Sequence, residues 1–355
     1  MMDLPADLHP FSLGEGGTPL IQSKNIGPDM GMDNLYFKLE TANPSGSYKD
    51  RFAAFAMAEI LNKKSKICLA TSSGNTGAAL AAYSAAAGLP CKIAIVEGAP
   101  EGKLKQMRAY GAKLFMINGF GRSSEISEKV FDKLADLAIQ NHTKIQVSAF
   151  KYCPIGMMGV QTISFEIAED MPKSENLFVP AGGGGLTLAV ARGFQIWKLS
   201  NPDFKIPRVH CVQPEGNNTI AGNLRTGLDH AQSVKDASTK ISGLQVANVI
   251  DGNETLKACR DTKGNGYLVT DEEVFDCQRL LAEKEGIFAE PAGAVSLAGW
   301  LKAVRSGELD LGEKAICIIT GSGFKDPPST ENMIKMNPVQ YLENEKGMEN
   351  YFGVE

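Results

Sequence analysis

The residue best suited to covalent chemistry is Lys49, in the segment 43–51. A turn is predicted at residues 44–46 and a helix with apolar residues on all sides over 52–61, so Lys49 falls in the first turn of a buried helix. The positive end of the helix dipole and the loss of hydration both disfavour a charged ammonium there. A neutral, fixed amine can act as a nucleophile or carry protons. The alternative is a solvated lysine that begins a surface helix.

Three further segments follow predicted strands, where open α/β sheets place their ligands. Residues 71–77 offer the Asn75 amide, several hydroxyls and free backbone N–H groups that can hold a carboxylate at a helix start. The four glycines 182–185 let successive N–H groups converge on an oxyanion. Thr320 can hydrogen-bond to a heteroaromatic nitrogen without supplying a full charge. Helix capping, a flexible loop and a tight turn are the respective alternatives.

Together, a lysine, an asparagine, a glycine loop and a hydroxyl form the set that a pyridoxal phosphate site needs. The lysine would form a Schiff base with the cofactor, the asparagine would contact its 3′ oxygen, the glycines its phosphate and the threonine its pyridine nitrogen. The glycine run is not a P-loop, because no Gly-Lys-Ser/Thr follows it. The predicted cofactor-binding residues are Lys49, which is also the predicted catalytic residue, Asn75, Gly182, Gly183, Gly184, Gly185 and Thr320.

Short apolar runs alternate with helical stretches from about residue 66, which is the pattern of βαβ units and predicts an α/β fold with parallel strands. Strands are predicted at 35–39, 66–70, 91–96, 113–117, 176–180, 208–212 and 314–319. Further helices are predicted at 76–87, 101–110, 123–140, 186–199, 254–262, 271–284 and 291–304. Thr270 and Glu273 predict a capping box, and Pro291 suits a first helical position. The polar stretch 217–248 is predicted to be a long functional loop.

The composition limits the remaining possibilities. A chain of 355 residues with 43% hydrophobic and 22% charged residues can fold as two domains. A net charge of −5 gives no basic surface, so no nucleic-acid partner is expected. The seven cysteines are scattered and predicted to be core residues, and none of the four histidines has metal-ligand spacing, so no metal site is expected. No signal peptide or membrane span is evident, and a cytoplasmic location is expected.

The sequence resembles the fold type II pyridoxal phosphate enzymes over nearly its whole length, and within them the threonine synthase family. The motifs that carry this resemblance are at residues 13–20, 44–51, 73–79, 286–292 and 320–327. The resemblance implies a tryptophan synthase β-like fold of two open twisted α/β lobes, with the cofactor in the cleft between them. Its large domain would comprise residues 1–50 and 151–355, and its smaller, inserted domain residues 51–150. A homodimer is also implied.

The same resemblance implies a lyase that acts on a small amino-acid substrate, O-phosphohomoserine, and forms threonine and phosphate. Lys49 would move protons at Cα and Cβ of the substrate. The residues implied to bind the substrate carboxylate are Ser72, Ser73, Gly74 and Thr76.

Two positions differ from the usual threonine synthase pattern. In threonine synthases, an asparagine in the glycine loop and an arginine before the helix that corresponds here to 160–168 usually contact the phosphate of the substrate. Here the glycine loop has no asparagine, and residues 153–158 include no arginine. An all-glycine loop also resembles threonine and serine dehydratases, and the motifs 49–51 and 73–77 also occur in cysteine and cysteate synthases. These β-elimination and β-replacement reactions are the alternative function.

Overall fold

A computed structural model of the chain describes residues 11–97, 99, 101–120, 123–335, 337–345, 348 and 351–352. Residues 1–10, where no signal peptide is expected, lie outside the described part. Among the described residues, no helix has both the length and the apolar character that crossing a membrane requires.

Two sheets form the framework. Their strands are β1 (Leu20–Gln22), β2 (Leu35–Leu39), β3 (Cys68–Thr71), β4 (Cys91–Ile95), β5 (Lys113–Met116), β6 (Ile145–Gln146), β7 (Asn176–Pro180), β8 (Arg208–Pro214), β9 (Gly266–Val269) and β10 (Ala315–Ile319). The six-stranded sheet has the order β1-β2-β10-β7-β8-β9, in which β1 is antiparallel to β2 and the other neighbours are parallel. The four-stranded sheet has the order β5-β4-β3-β6 and is parallel.

Helices connect the parallel strands and cover the sheets, which explains why most strands are uninterrupted apolar runs. They are α1 (Ile26–Asp29), α2 (Lys49–Asn62), α3 (Asn75–Ala86), α4 (Glu101–Ala109), α5 (Ser124–Gln140), α6 (Pro154–Asp170), α7 (Gly185–Ser200), α8 (Ala221–Arg225), α9 (Gly252–Asp261), α10 (Asp271–Glu285), α11 (Pro291–Arg305) and α12 (Pro327–Ile334). Helix α2 packs against α3 and α6, and its apolar residues join a core cluster that includes strand residues of both sheets. The helix that begins at Lys49 therefore links the two sheets.

The predicted α/β fold is confirmed, and most predicted elements end within two residues of the observed ones. The capping box of Thr270 and Glu273 and the position of Pro291 at the start of α11 are also confirmed. All seven cysteines are buried and free, as predicted. The helix expected over 160–168 instead begins at Pro154, a residue suited to the first helical position. In the segment 153–158, taken to precede that helix, Cys153 is its N-cap and the other residues belong to the helix. Strands β1, β6 and β9 were not predicted because runs of two to four residues carry no clear periodicity.

The distribution of strands along the chain bears on the domain prediction. The four-stranded sheet uses residues between Cys68 and Gln146, and the six-stranded sheet uses strands on either side of that segment. We therefore keep as a proposal the division into a domain of residues 51–150 and a domain formed by the remainder.

Candidate active site

A cavity of about 700 Å³ lies at the carboxyl ends of β3, β7 and β10. Its volume is within the usual range for small-molecule sites, about 300–1,000 Å³. Every residue predicted to act in the site lines this cavity: Lys49, Ser72, Ser73, Gly74, Asn75, Thr76, Gly182, Gly183, Gly184, Gly185 and Thr320. The fold thus brings together four segments that are far apart in the sequence, from Lys49 to Thr320.

Lys49 is held in place by the segment that follows β10. Tyr48 donates its backbone N–H to the carbonyl oxygen of Thr320 at 3.0 Å, and Ser322 donates its N–H to the carbonyl oxygen of Gly46 at 3.0 Å. These two bonds fix the turn before α2 against the end of the central strand β10. As a result, the predicted lysine and threonine both line the cavity.

The surroundings of Lys49 favour its neutral form. Burial lowers the pKa of its amine from 10.5 to about 7, while the negative charges of Glu290 and Asp251 partly oppose that shift. The Lys49 Nζ atom donates to Ser148 Oγ at 2.6 Å and lies 4.3 Å from the centre of the Tyr48 ring. A large fraction of this amine is therefore neutral and oriented near neutral pH, as a nucleophile or a proton carrier requires.

The glycine loop turns its carbonyl groups away from the cavity. The carbonyl oxygens of Gly182, Gly183 and Gly184 accept hydrogen bonds from Gln213 Nε2 (3.1 Å), the Asp251 N–H (3.2 Å) and Thr255 Oγ1 (3.0 Å), respectively. Within the described part of the chain, the N–H groups of residues 182–185 have no hydrogen-bond partner. Four free donors at the start of α7 form a suitable site for a phosphate.

Glycine is required at one position of this loop, Gly184, on conformational grounds. Gly184 has φ of +95°, in the left-handed region, and a Cβ there would overlap Thr255 Oγ1. At Gly182 and Gly183 a Cβ would come within 3.1 and 3.3 Å of Val246, respectively. A side chain is thus excluded at Gly184, whereas one at Gly182 or Gly183 would require Val246 to shift by a few tenths of an ångström. Part of the stretch 217–248, predicted to be a long functional loop, packs against the glycines, and its residues 240 and 242–246 line the cavity together with Ile250. Within that stretch, Ala221–Arg225 form the short helix α8 instead of loop.

The segment at the start of α3 contains both structural and unpaired hydroxyls. Ser72 Oγ accepts hydrogen bonds from the N–H groups of Gly74 (3.2 Å) and Gly77 (3.0 Å), so it stabilises the turn itself. The side chains of Ser73 and Thr76 line the cavity and have no hydrogen-bond partner among the described residues. These two hydroxyls and the free N–H groups of the first helical turn are therefore suited to an anionic ligand.

Asn75 and Thr320 share one buried carboxylate. Asn75 Nδ2 donates to Glu290 Oε1 at 2.8 Å, and Thr320 Oγ1 lies 3.5 Å from the same oxygen. Thr320 and Glu290 are both 3% exposed. The two side chains predicted to contact the cofactor ring thus converge on Glu290, which the sequence analysis did not select.

Two other side chains in the site were not predicted. Ser148 accepts the hydrogen bond from Lys49, and the Asp251 carboxylate accepts from the N–H groups of Phe150 (2.8 Å) and Lys151 (3.1 Å). Burial raises the pKa of Asp251. Neither Ser148 nor Asp251 lies in a motif singled out in the sequence. Glu290 does lie in the motif 286–292, and it precedes Pro291 at a predicted helix start.

The comparison with known proteins identifies the family. Residues 11–321 match the family described as "Pyridoxal-phosphate dependent enzyme", so the chain belongs to that family. Its cofactor is pyridoxal phosphate, and the predictions of a fold type II architecture and a pyridoxal phosphate-dependent lyase are confirmed. Lys49, the free glycine N–H groups and the size of the cavity fit this cofactor.

Individual relatives agree with this family. The chain is 34% identical to a protein named threonine synthase from Methanocaldococcus jannaschii over 89% of its own length and 76% of the relative. It is also 34% identical to a threonine synthase from Halalkalibacterium halodurans, over 92% and 88% of the two chains. The structure of threonine deaminase isoform 2 from Solanum lycopersicum superimposes with a TM-score of 0.72 at 22% identity, covering 91% of this chain and 88% of the other. The last similarity concerns the fold alone.

Proposed function

We propose that this enzyme is a threonine synthase, which converts O-phospho-L-homoserine and water into L-threonine and phosphate by γ-elimination and β-hydration. The observation that carries the proposal is that the cavity combines the cofactor-binding set with two further cations, Lys240 and Lys325. A substrate with its own phosphate needs positive charge beyond the groups that hold the cofactor. The names of the two relatives described above support the same reaction.

The chain would supply binding and proton transfer. Pyridoxal phosphate, when bound, provides an electron sink that stabilises negative charge on carbon atoms near the substrate amino group. The glycines 182–185 would hold its phosphate, Asn75 and Thr320 would contact its ring, and Lys49 would hold it covalently. Once displaced by the substrate amine, Lys49 would move protons at Cα and Cβ, and a pKa of about 7 suits both acceptance and release.

Overall, a proton leaves Cβ, the Cγ–O bond breaks with departure of the phosphate, and a proton is placed on Cγ. Water then supplies the hydroxyl group at Cβ and a proton to the released phosphate. Ser73, Thr76 and the first N–H groups of α3 would hold the substrate carboxylate, while Ser72 and Gly74 would shape the turn that presents them. Lys240 and Lys325 would attract the leaving phosphate. Lys325 is already oriented, because its Nζ atom donates to Gln106 Oε1 at 2.8 Å.

A second candidate is β-elimination or β-replacement on serine, threonine or a related amino acid, as in dehydratases and cysteine or cysteate synthases. The lining of the cavity favours it in one respect. Among the described residues that line the cavity there is no arginine, and the glycine loop contains no asparagine to contact a second phosphate. A substrate without a phosphate would need neither group.

One substrate panel distinguishes the two reactions. Purified protein loaded with pyridoxal phosphate is given O-phosphohomoserine, serine, threonine, phosphoserine and an acylserine in separate assays. A threonine synthase releases equal amounts of phosphate and threonine from the first substrate. Release of keto acid and ammonia from another substrate, without threonine from O-phosphohomoserine, would replace the proposal by the second candidate. The Lys49→Ala variant controls for turnover by free cofactor.

The assembly and cellular location also belong to this proposal. We expect a homodimer in the cytoplasm, as the resemblance to the family implies. Light scattering coupled to size-exclusion chromatography gives the mass of the particle in solution. A mass close to 38.0 kDa, that of one chain, would contradict the dimer.

A further inference from the structure

Glu290 is a buried carboxylate without a role in the reaction proposed above. It directly precedes α11, yet its side chain makes no capping hydrogen bond to that helix. Burial of an ionised carboxylate is unfavourable unless hydrogen bonds compensate for the lost hydration. The stability of α11 therefore does not explain why a carboxylate occupies this position.

The carboxylate faces the side chains that would contact the cofactor ring. Its Oε1 atom accepts from Asn75 Nδ2 at 2.8 Å and lies 3.5 Å from Thr320 Oγ1. The charge of Glu290 also opposes the lowering of the Lys49 pKa and contributes to raising the pKa of Tyr48. One buried acid thus acts on several groups of the cofactor site.

The backbone around Glu290 keeps the carboxylate in this position. The Glu290 N–H donates to the carbonyl oxygen of Gly321 at 2.9 Å, and Ala289 forms a bridge with Ser322. A Cβ at Gly321 would overlap Glu290 Oε1 and would lie 3.3 Å from Asn75 Nδ2. Because residue 321 is a glycine, there is room for the hydrogen bond between the Glu290 carboxylate and the Asn75 amide.

We propose that Glu290 is a positioning residue that fixes the orientation of the Asn75 amide toward the cofactor ring. An ionised carboxylate can only accept hydrogen bonds, so it requires the amide nitrogen, not the amide oxygen, on its side. The second N–H of that nitrogen and the amide oxygen are then presented in one fixed arrangement. This inference depends on the cofactor-binding part of the proposed function and not on the identity of the substrate.

Two variants disturb the contact in different ways. Glu290→Gln retains the size of the side chain but removes the charge and allows either end of the amide to face Asn75. Gly321→Ala retains the charge but displaces the flexible carboxylate from Asn75. Asn75→Ala serves as the reference for loss of the ring contact, and Glu272→Gln, an exposed residue of α10, matches the change in formal charge.

The readouts are the dissociation constant of pyridoxal phosphate for the apoprotein and the circular dichroism band of the bound cofactor, which reports the orientation of its ring. We expect both Glu290→Gln and Gly321→Ala to weaken cofactor binding about tenfold and to change the band, because a charge-assisted hydrogen bond is lost. Glu272→Gln should leave both quantities unchanged. Apoprotein unfolding curves show whether each variant is folded.

Either variant of the pair could overturn the inference. If one of them folds and retains both the dissociation constant and the band of the parent protein, while Asn75→Ala loses them, Glu290 has no positioning role. If Asn75→Ala itself changes neither quantity, the proposed ring contact is wrong and the inference fails with it. A lower unfolding temperature with unchanged cofactor properties would assign Glu290 a purely structural role.

Discussion

Lys49 and Arg51 lie two residues apart in the first turn of α2, but their surroundings have opposite effects on their charges. Burial lowers the pKa of Lys49 to about 7, and no carboxylate forms an ion pair with it among the residues described. Burial also disfavours the charge of Arg51, but Glu40 and Glu166 more than compensate and raise its pKa. One cation is kept easy to deprotonate, whereas the other is held permanently charged.

The contacts of Arg51 explain the difference. Its Nε and Nη2 atoms donate to the two oxygens of Glu40 at 2.7 and 2.8 Å, and its Nη1 atom donates to Glu166 Oε1 at 2.5 Å. Lys38 Nζ approaches Glu166 Oε2 to 2.8 Å, and Glu166 also accepts from the N–H of Gly17. This ionic cluster joins α2 to α6, β2 and the segment before β1. Because this cluster anchors α2, Lys49 in the first turn of the helix is held in place without an ion pair of its own.

The largest effect is expected from removal of the reactive cation. Lys49→Met should lower turnover at least about a thousandfold and abolish borohydride fixation of the cofactor, because no amine is left for attachment or proton transfer. The folded pKa of Lys49 lies below its unfolded value of 10.5, so the wild-type apoprotein loses stability as pH falls from about 10.5 toward 7. The apoprotein variant should therefore be more stable than wild type at pH 6 in urea unfolding.

Lys63→Met is the control for the lysine variant. Lys63 ends the same helix and forms an i,i+4 ion pair with Glu59 at 2.6 Å, with 42% of its side chain exposed. Its removal should leave activity unchanged and stability unchanged or slightly lower. If Lys49→Met is instead less stable than wild type at pH 6, the contrast between the two cations does not hold.

Removal of the structural cation should have its main effect on folding. Arg51→Met leaves the carboxylates of Glu40 and Glu166 without their principal partner, which we expect to lower the free energy of unfolding by about 3–5 kcal/mol. Guanidinium chloride unfolding of the apoprotein measures it. Arg225→Met is the matched control, because Arg225 pairs with Glu308 near the surface, with 43% of its side chain exposed. That change should cost about 0–1 kcal/mol, and equal losses for both variants would refute the comparison.

The sequence predicts Lys49 and the other cavity residues better than it predicts the ion pairs of Arg51. Local patterns place each predicted residue after a strand or at the start of a helix, as for Lys49, Asn75, the glycine loop and Thr320. Because the carboxyl ends of parallel strands lie on the same side of a sheet, the whole predicted set lines one cavity. Their roles in catalysis and binding stay a prediction that awaits the experiments above.

The unpredicted residues depend on contacts between distant parts of the chain. Arg51 meets Glu166 across 115 positions, and Asn75 meets Glu290 across 215. Ser148 follows a strand of two residues, and Asp251 follows the long polar loop, where no periodicity indicates a direction for the side chain. Spacing along one element cannot specify such pairs, because they form only when separate elements pack.

Acid should weaken the structural cluster. Burial tends to raise the pKa of Glu166, but the hydrogen bonds and charges of Arg51 and Lys38 lower it from 4.5 to about 2. The folded pKa lies below the unfolded one, so the stabilisation is present above about pH 4.5 and is lost as pH falls toward 2. We expect it to amount to about 2 kcal/mol. Urea unfolding between pH 6 and 3 should show a smaller dependence on pH in Glu166→Gln, and identical dependences would contradict this assignment.

The smallest expected effect concerns the rate at which the cofactor attaches to Lys49. Only the neutral amine attacks the cofactor, and with a pKa of about 7 its fraction rises about tenfold between pH 6 and pH 8 and then levels off. Stopped-flow absorbance of apoprotein mixed with pyridoxal phosphate measures this rate, and a small-molecule amine of pKa near 10.5 provides the correction for the cofactor's own titration. A rate that continues to rise to pH 10 would mean that Lys49 titrates like an exposed lysine. The surroundings would then change the pKa of Arg51 only, and the comparison between the two cations would fail.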